Sequence, residues 1–207
     1  MSGDHDLEVL AQWEQRLRLV RLTGHDGVEH FGVEEFEDGA VVVDSARYAR
    51  DDFPVAAGAF VLRIADALDP SPGSAAQVVA QTLLALARAD IGALSVLFHD
   101  DYVHIDHRPI GFPDADKAEM LEMQVAQADA PPVWLTQSVD TWSSVGGVST
   151  GGYWMLNFGR WTPYEYGIHL AVVKDGQLVN AEIFPEGQLD AALDRFAELT
   201  ASAEGEL

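Results

Sequence analysis

A single turn near the C-terminus constrains the fold of this chain more than any other feature. Asp175-Gly176 separates two runs rich in apolar and β-branched residues, EYGIHLAVVK and QLVNAEIF. A two-residue Asp-Gly loop between such runs is a strong signal for a β-hairpin, because both central residues of its turn adopt positive φ. The C-terminal part of the chain is therefore predicted to contain an antiparallel sheet.

The residues that precede the hairpin predict an ordered series of helices and strands. Apolar residues recur at helical spacing over 77–90, and 91–101 is predicted to form a second short helix. Residues 102–110 follow as a strand, and Asp114 is positioned to cap a third helix over 114–129. The later strands and the closing helix are predicted at 133–144, 151–161, 165–176, 177–184 and 188–199.

This order of helix, helix, strand, helix and then a meander resembles the nuclear-transport-factor-2-like (NTF2-like, or SnoaL-like) fold. The resemblance is carried by FHDDYVHIDHRPIG and by HLAVVKDGQLVNAEIFPEGQLDAALDRF. It implies an α+β cone, in which a curved antiparallel sheet wraps around the helices and leaves a pocket at the wide end. A complete domain is expected over 77–200, followed by a disordered tail over 201–207.

The first part of the sequence resembles the second half of the same fold. A Pro/Gly/Ser-rich stretch, residues 69–76, is predicted to be a linker between the two parts. Residues 1–68 are interpreted as a truncated repeat of helix, strands and closing helix, docked on the complete domain or on another chain. The alternative is an unrelated β-meander with a coincidental Asp-Gly turn. The features that align are Gly32 with Gly167, Asp38-Gly39 with Asp175-Gly176, and Phe60 with Phe196 to within one residue.

Charge and composition narrow the expected partners. The formal net charge is −22, from 34 acidic residues against 12 lysines and arginines. Such an anionic surface repels phosphate backbones and anionic lipids, so neither nucleic acid nor membrane is an expected partner. The absence of cysteine rules out disulfides and thiolate chemistry and suits a reducing compartment. The N-terminal MSGDHDLEVLAQWEQ is too acidic for a secretory signal, and a cytoplasmic location is predicted.

The strand YVHIDHRP contains the residue that best fits acid–base chemistry. Side chains alternate along a strand, so Val103, Ile105 and His107 share one face, and this more apolar face is expected to point into the cone. His107 would then enter the pocket, where it could act as general acid or base because its ordinary pKa lies near working pH. The fragment IDHR also resembles the corresponding strand of scytalone dehydratases, which implies the same role for His107.

Asp106 and Arg108, on the opposite face, are weaker catalytic candidates. A bidentate ion pair that holds the following loop would explain them equally well. A metal shared by His104 and Asp106 is not favoured, because metal sites need three or four converging ligands. Neither a metal nor a cofactor is predicted. The glycine pairs Gly146-Gly147 and Gly151-Gly152 are expected in turns and are weak candidates for a phosphate-binding loop.

Aromatic and polar residues on the later strands are the candidates for ligand contact: Trp154, Asn157, Tyr166 and His169. Both sides of the strand that contains His169 carry apolar residues, so its direction is left open. Residues 161–164 are predicted to form a hairpin loop at the lip of the pocket. Two methionines on the third helix are interpreted as packing residues.

Three functions remain open from the sequence. The first is a small-molecule-binding or accessory protein with an apolar pocket for a small apolar or aromatic ligand. It ranks first because the sequence shows one good acid–base candidate, whereas enzymes need several cooperating groups. The second is an enzyme of the SnoaL, dehydratase or isomerase type that uses His107 as general acid or base. The third is a structural dimerisation module, and a homodimer through the open face of the meander is expected.

Overall fold

The computed structural model describes residues 6–37, 40–44 and 47–204 of the 207-residue chain. Its fold class is α+β, as predicted. The strands are β1 (Asp6–Trp13), β2 (Leu17–Thr23), β3 (Glu29–Glu37), β4 (Ala40–Asp44), β5 (Tyr48–Ala49), β6 (Phe98–Asp106), β7 (Ala115–Asp116), β8 (Val133–Ser143), β9 (Gly146–Asn157), β10 (Arg160–Lys174) and β11 (Gln177–Pro185). The α-helices are α1 (Phe53–Leu68), α2 (Ala75–Ala87), α3 (Ile91–Leu97), α4 (Lys117–Ala126) and α5 (Leu189–Glu204).

The elements from α2 to α5 follow the predicted order of helix, helix, strand, helix and meander. They form a six-stranded sheet with the order β7-β6-β11-β10-β9-β8. Neighbours from β8 to β11 are antiparallel, whereas β6 pairs with β11 in parallel. The sheet is therefore mixed, although a purely antiparallel sheet was expected. The helix α2 contacts β8, β9, β10 and β11. One helix surrounded by four strands is the cone arrangement that the resemblance implied.

The Asp-Gly hairpin between β10 and β11 is confirmed. Asp175 has φ of 53° and Gly176 has φ of 74°, as both central residues of a type I′ turn require. Lys174 pairs with Gln177 directly across the turn. A tight turn fixes the register of its strands, and the register decides which side chains point to each face of the sheet.

Helices pack on both faces of the six-stranded sheet. The inner face lies against α2, and the outer face is defined here as the one that α5 covers. On the outer face, Ile168, Leu170 and Val172 of β10 form one apolar cluster with Ala192 and Phe196 of α5. This face was expected to be open and to form a homodimer interface. The closing helix weakens that motivation, because it shields this apolar cluster of the meander.

Residues 6–68 form a smaller layer that docks on the rest of the same chain. The strands β1 to β4 are consecutive neighbours, and α1 packs against β2 and β3 as well as against α2 and β8. The ring of Phe53 on α1 lies 4.9 Å from that of Phe31 on β3 and 4.8 Å from that of Trp161 on β10. The buried guanidinium of Arg21 donates to the carbonyl oxygen of Trp161. Docking within one chain therefore encloses a shared aromatic cluster.

The internal repeat stays a prediction, although the order β2-β3-β4-α1 parallels β9-β10-β11-α5. The leading helix expected in the first part was wrong, because residues Asp6–Trp13 form β1 and pair along β2. The proposed turn at Asp38-Gly39 lies outside the described residues. The final helix continues to Glu204, past the point where a tail was expected, and residues 205–207 lie outside the described part.

Two helix caps fall at other residues than the sequence predicted. Ser74 lies inside the expected linker, and its side chain accepts the N–H of Gln77, so α2 begins already at Ala75. Asp116 caps α4 in place of Asp114. Its carboxylate accepts the N–H of Glu119, and the carboxylate of Glu119 accepts the N–H of Asp116. This reciprocal capping box satisfies two helix-end donors at once.

Three strand boundaries also differ from the predictions. The strand β6 begins at Phe98, so the preceding helix is shorter than expected. Residues 161–164 belong to β10, and the turn before them is made by Phe158 and Gly159, which both have positive φ. The glycine pairs lie within β9, where a Cβ on Gly151 would collide with the carbonyl oxygen of Leu135. None of the helices in the described ranges is long and apolar enough to cross a membrane.

Candidate functional site

A cavity lies between the inner face of the six-stranded sheet and the helices α2 and α4. Its volume is about 60 Å³. Aliphatic side chains and two methionines from these elements form much of its wall. Aromatic, imidazole and amide groups complete it: Tyr102, His104, Gln124, Trp134, Tyr153 and His169. An apolar wall with a few convergent polar groups is typical of small-molecule sites.

Strand alternation brings the two histidines of the cavity together. Tyr102 and His104 alternate on β6, and His169 lies on β10, two strands away. Between them, Ala181 of β11 pairs with His104 on one side and with Ala171 on the other. His169 lies two residues along β10 from Ala171, diagonally from His104, and both imidazoles line the same cavity as the small side chain of Ala181.

Both histidines are neutral near pH 7. Burial, together with the smaller effect of the neighbouring His104, lowers the pKa of His169 to about 4. Burial also lowers the pKa of His104. The physical cause is the loss of hydration that a buried imidazolium would suffer. A neutral imidazole carries one hydrogen-bond donor and one acceptor, so each ring can serve a ligand in either role.

Aromatic contacts hold the cavity wall in place. The ring centroid of Trp134 lies 5.0 Å from that of Tyr153 and 5.5 Å from that of His169. Tyr102 stacks on Phe98 at 4.2 Å. Burial raises the pKa of both Tyr102 and Tyr153, so their phenolic groups keep their protons. The cavity therefore has rigid, uncharged walls on the sheet side.

A wider groove, of about 480 Å³, lies beside the cavity. Four side chains line both spaces, so the cavity and the groove meet there: Phe112, Gln127, Pro132 and Tyr153. The groove also contains Arg108 and Glu165. A ligand longer than the cavity would extend into this groove.

Asp106 and Arg108, of which Arg108 lines the groove, form an ion pair that we call the clamp. The Nε and Nη2 atoms of Arg108 donate to the two carboxylate oxygens of Asp106 at 2.8 and 2.6 Å, and Nη1 donates to Glu165 at 2.7 Å. Asp106 also accepts the backbone N–H of Phe112 at 2.7 Å. Burial raises the pKa of Asp106, but the hydrogen bonds from Arg108 and Phe112 outweigh it, and the pKa lies below its ordinary value. This is the bidentate ion pair, holding the following loop, that the sequence analysis offered as the alternative to a catalytic role for Asp106 and Arg108.

His107 lies on the outer face, away from the cavity. It shares a side with Val103 and Ile105, as predicted, but that side is not the inner one. Its Nε2 lies 2.7 Å from Oε2 of Glu182, and its ring stacks on Phe184 at 4.2 Å. The expectation that His107 enters the pocket was therefore wrong. Both sides of β6 are partly buried, so the more aliphatic set of residues does not identify the inner face.

Of the four residues predicted to contact a ligand, His169 lines the cavity. Trp154 packs against α1 of the N-terminal layer. Asn157 is exposed at the end of β9, where its amide donates to the hydroxyl of Thr162 at 3.0 Å. Tyr166 is exposed on the outer face. Strand alternation in β9 and a β-bulge in β10 set these directions, and neither was visible in the sequence.

Sequence reasoning missed Tyr102, His104, Gln124 and Trp134 as cavity residues. A signal was present in β6, where two ring-bearing polar residues alternate with Val103. Rings with one polar edge suit a cavity wall, because the apolar body packs while the polar edge can face a ligand. Gln124, the amide residue on α4, gave no comparable signal in the sequence. Across the part of the chain that the structure describes, no group of three or more His, Asp or Glu is arranged to hold a metal ion.

No protein-family model and no curated protein matches this sequence. Several solved structures are similar to it. A candidate polyketide cyclase from Sinorhizobium meliloti is 20% identical with a TM-score of 0.41, over 51% of this chain and 92% of its own. An LEH-like epoxide hydrolase from M. tuberculosis is 12% identical with a TM-score of 0.44, over 61% of this chain and 94% of its own. An NTF2-like protein of unknown function from Mesorhizobium loti is 20% identical with a TM-score of 0.42, over 57% of this chain and 95% of its own.

At these identities and TM-scores, the similarities indicate no activity for this chain. The fold follows instead from the chain's own architecture. Two helices, a strand and a third helix precede a four-stranded meander, the first strand lies beside the last, and the sheet surrounds α2. Residues 75–204 of this chain thus have the NTF2-like, SnoaL-like fold.

Proposed function

We propose that this chain is a small-molecule-binding protein that takes a small apolar or aromatic ligand in the cavity beneath α2 and α4. The observation that carries this proposal is the composition of the wall, in which aliphatic and aromatic side chains surround two neutral histidines. Apolar groups that leave water for such a wall gain about 25 cal/mol for each Å² they bury. The groove offers an adjacent space for the remainder of a longer ligand.

The cavity contains residues that can adjust to a ligand. Met120 and Met123 of α4 line it, and their unbranched, polarizable side chains change rotamer at little expense. Phe112 stands where the cavity and the groove meet, on a loop and not on a strand. These positions favour a site that admits a ligand by side-chain rearrangement, while the sheet side stays fixed.

Binding of a simple probe tests the proposal. Toluene, followed by ligand-observed NMR and calorimetry, is expected to bind the wild-type protein with saturation. Ala181→Leu adds bulk to the cavity wall directly beside His104 and is expected to abolish binding. Val103→Leu makes a matched change on the exposed, outer side of the neighbouring strand and is expected to leave binding intact. Circular dichroism confirms that both variants are folded. Binding that is absent in the wild type, or unchanged in Ala181→Leu, contradicts the proposal.

A second candidate function is proton-transfer catalysis, with His104 and His169 in place of His107. The observation that favours it is that both imidazoles are neutral and face the same cavity. A neutral imidazole can take a proton from a bound substrate, and general-base catalysis by one side chain contributes roughly 10²- to 10⁴-fold. For any compound found to turn over, His104→Gln is expected to lower kcat by at least about 100-fold. His107→Gln is the control and is expected to leave kcat unchanged.

The third candidate, a homodimerisation module, is supported less by the structure than by the sequence. The helix α5 covers the apolar cluster on the outer face that was expected to pair. Sedimentation velocity at micromolar concentration is expected to give a monomer. A stable dimer would require a different surface from the one that was proposed.

A further inference from the structure

Three residues that line the cavity each have a buried polar side-chain atom with no hydrogen-bond partner among the described residues. These atoms are Nε1 of Trp134, Nε2 of His104 and Oε1 of Gln124. Each of these residues is more than nine-tenths buried. Buried polar groups in native proteins nearly always have a partner, because an unpaired one loses its bond to water without replacement. Three such residues around one cavity are the basis for inferring that its natural occupant supplies hydrogen bonds.

The types of these atoms specify what the occupant must offer. The indole N–H of Trp134 can only donate, so it needs an acceptor on the ligand. The carbonyl oxygen of Gln124 can only accept, and the amide nitrogen of the same side chain already contacts the sulfur of Met120. The ligand must therefore also present a donor. Neutral His104 can complete either kind of bond. A hydroxyl group is the simplest group that both donates and accepts.

Charge excludes ionic ligand groups from the cavity. The cavity-lining histidines and tyrosines are uncharged near pH 7. Asp106 and Arg108 are matched to each other by two hydrogen bonds, and Arg108 lines the groove and not the cavity. An ion moved from water into the cavity would lose its hydration without meeting a counter-charge.

We propose that the ligand is an uncharged, hydroxyl-bearing ring compound, whose hydroxyl is recognised by Trp134 together with His104 and Gln124. This inference rests on the proposed binding function. Size supports a ring of modest dimensions. If each water-sized site takes about 10–15 Å³, a cavity of 60 Å³ holds roughly four to six such sites. That is on the order of one six-membered ring with a substituent.

Phenol and toluene test the inference, because they are equal in heavy-atom count and differ by a hydroxyl in place of a methyl group. Phenol is expected to bind the wild-type protein about tenfold more tightly than toluene, a ratio equivalent to about 1.4 kcal/mol. Benzoate, which is ionised at pH 7, is expected not to bind. Trp134→Phe is expected to bring the phenol-to-toluene ratio close to one while toluene still binds.

Trp161→Phe is the matched control. The indole nitrogen of Trp161 is also buried and has no partner among the described residues, but this side chain packs on Phe53 and does not line the cavity. The phenol-to-toluene ratio is expected to be unchanged in this variant. If Trp134→Phe is poorly folded, His104→Phe and Gln124→Leu provide the same comparison.

The outcomes separate this inference from the proposed function. Toluene binding without a preference for phenol overturns the inference and leaves the binding function standing. A preference for phenol that persists in Trp134→Phe, His104→Phe and Gln124→Leu also overturns it, as does benzoate binding as tight as that of phenol. If no probe binds the wild-type protein, the proposed function fails and the inference fails with it.

Discussion

Replacement of Glu182 by glutamine tests the interpretation that His107 is part of a structural cluster and not of a catalytic site. The side chain of Glu182 is fully buried, at 0% exposure, on the outer face of β11. It lies 2.7 Å from Nε2 of His107, and it accepts hydrogen bonds from Arg195 at 3.0 Å and Asn180 at 3.2 Å. One carboxylate thus joins the end of β6 to α5.

The expected loss of stability follows from these contacts. Removing one member of a buried ion pair usually costs about 3–5 kcal/mol, because the other charge is left buried. Here the partners can regain water, since the side chains of His107 and Arg195 are 35% and 36% exposed. Glutamine also keeps the shape of Glu182 and one acceptor oxygen. We therefore expect Glu182→Gln to lower the free energy of unfolding by about 2 kcal/mol, the scale of one charge-assisted hydrogen bond.

Chemical denaturation and thermal unfolding both measure this change. For a chain of this size, a loss of about 2 kcal/mol lowers Tm by roughly 4–8 °C. Glu198→Gln is the matched control, because Glu198 pairs with the same Arg195 at 3.3 Å but is 68% exposed. Exposed pairs contribute at most about 1 kcal/mol. If Glu182→Gln and Glu198→Gln had equal effects, the buried cluster would not stabilise the fold as argued. Ligand binding in the cavity is expected to be unaffected by either change.

Three further predictions concern the cavity histidine, the clamp and the contact between the two layers. His169 is neutral when folded, because its pKa is lowered from 6.5 to about 4. As the pH falls, the unfolded chain therefore takes up a proton before the folded protein does. The free energy of unfolding is expected to drop between pH 6.5 and 4 by up to roughly 3 kcal/mol. Urea titrations across that range are expected to show a flatter profile for His169→Phe but not for the exposed-site control His25→Gln. Asp106→Asn removes the bidentate carboxylate from the buried guanidinium of Arg108, which keeps Glu165 as an anionic partner. It is expected to cost about 2–3 kcal/mol in urea denaturation, the scale of a lost charge-assisted hydrogen bond. A loss below about 1 kcal/mol would contradict the clamp. Phe53→Ala removes a fully buried ring between the layers and is expected to lower the free energy of unfolding by about 3–5 kcal/mol. A single cooperative transition in both tryptophan fluorescence and circular dichroism would show that the layers unfold together.

The fold was largely predictable because its strongest signals are local. The Asp175-Gly176 turn fixes a hairpin through backbone conformation alone, and helical spacing of apolar residues marks α2 without reference to the rest of the chain. One error falls where distant contacts decide, because the parallel pairing of β6 with β11 joins residues that lie far apart in sequence. The choice of Asp116 over Asp114 as helix cap is local instead, because it depends on the reciprocal bond to Glu119 three residues later.

The candidate site was harder to predict, because the rule that apolar side chains point inward fails for a strand that lines a cavity. In β6 the aliphatic Val103 is partly exposed, while Tyr102 and His104 are buried against the cavity. A filled core selects aliphatic residues, whereas a cavity wall also tolerates rings whose polar edges remain available to an occupant. On such a strand, the side with alternating tyrosine and histidine is the better candidate for the inner face. In this chain that criterion selects His104 over His107, and the comparison of His104→Gln with His107→Gln is therefore a direct test of it.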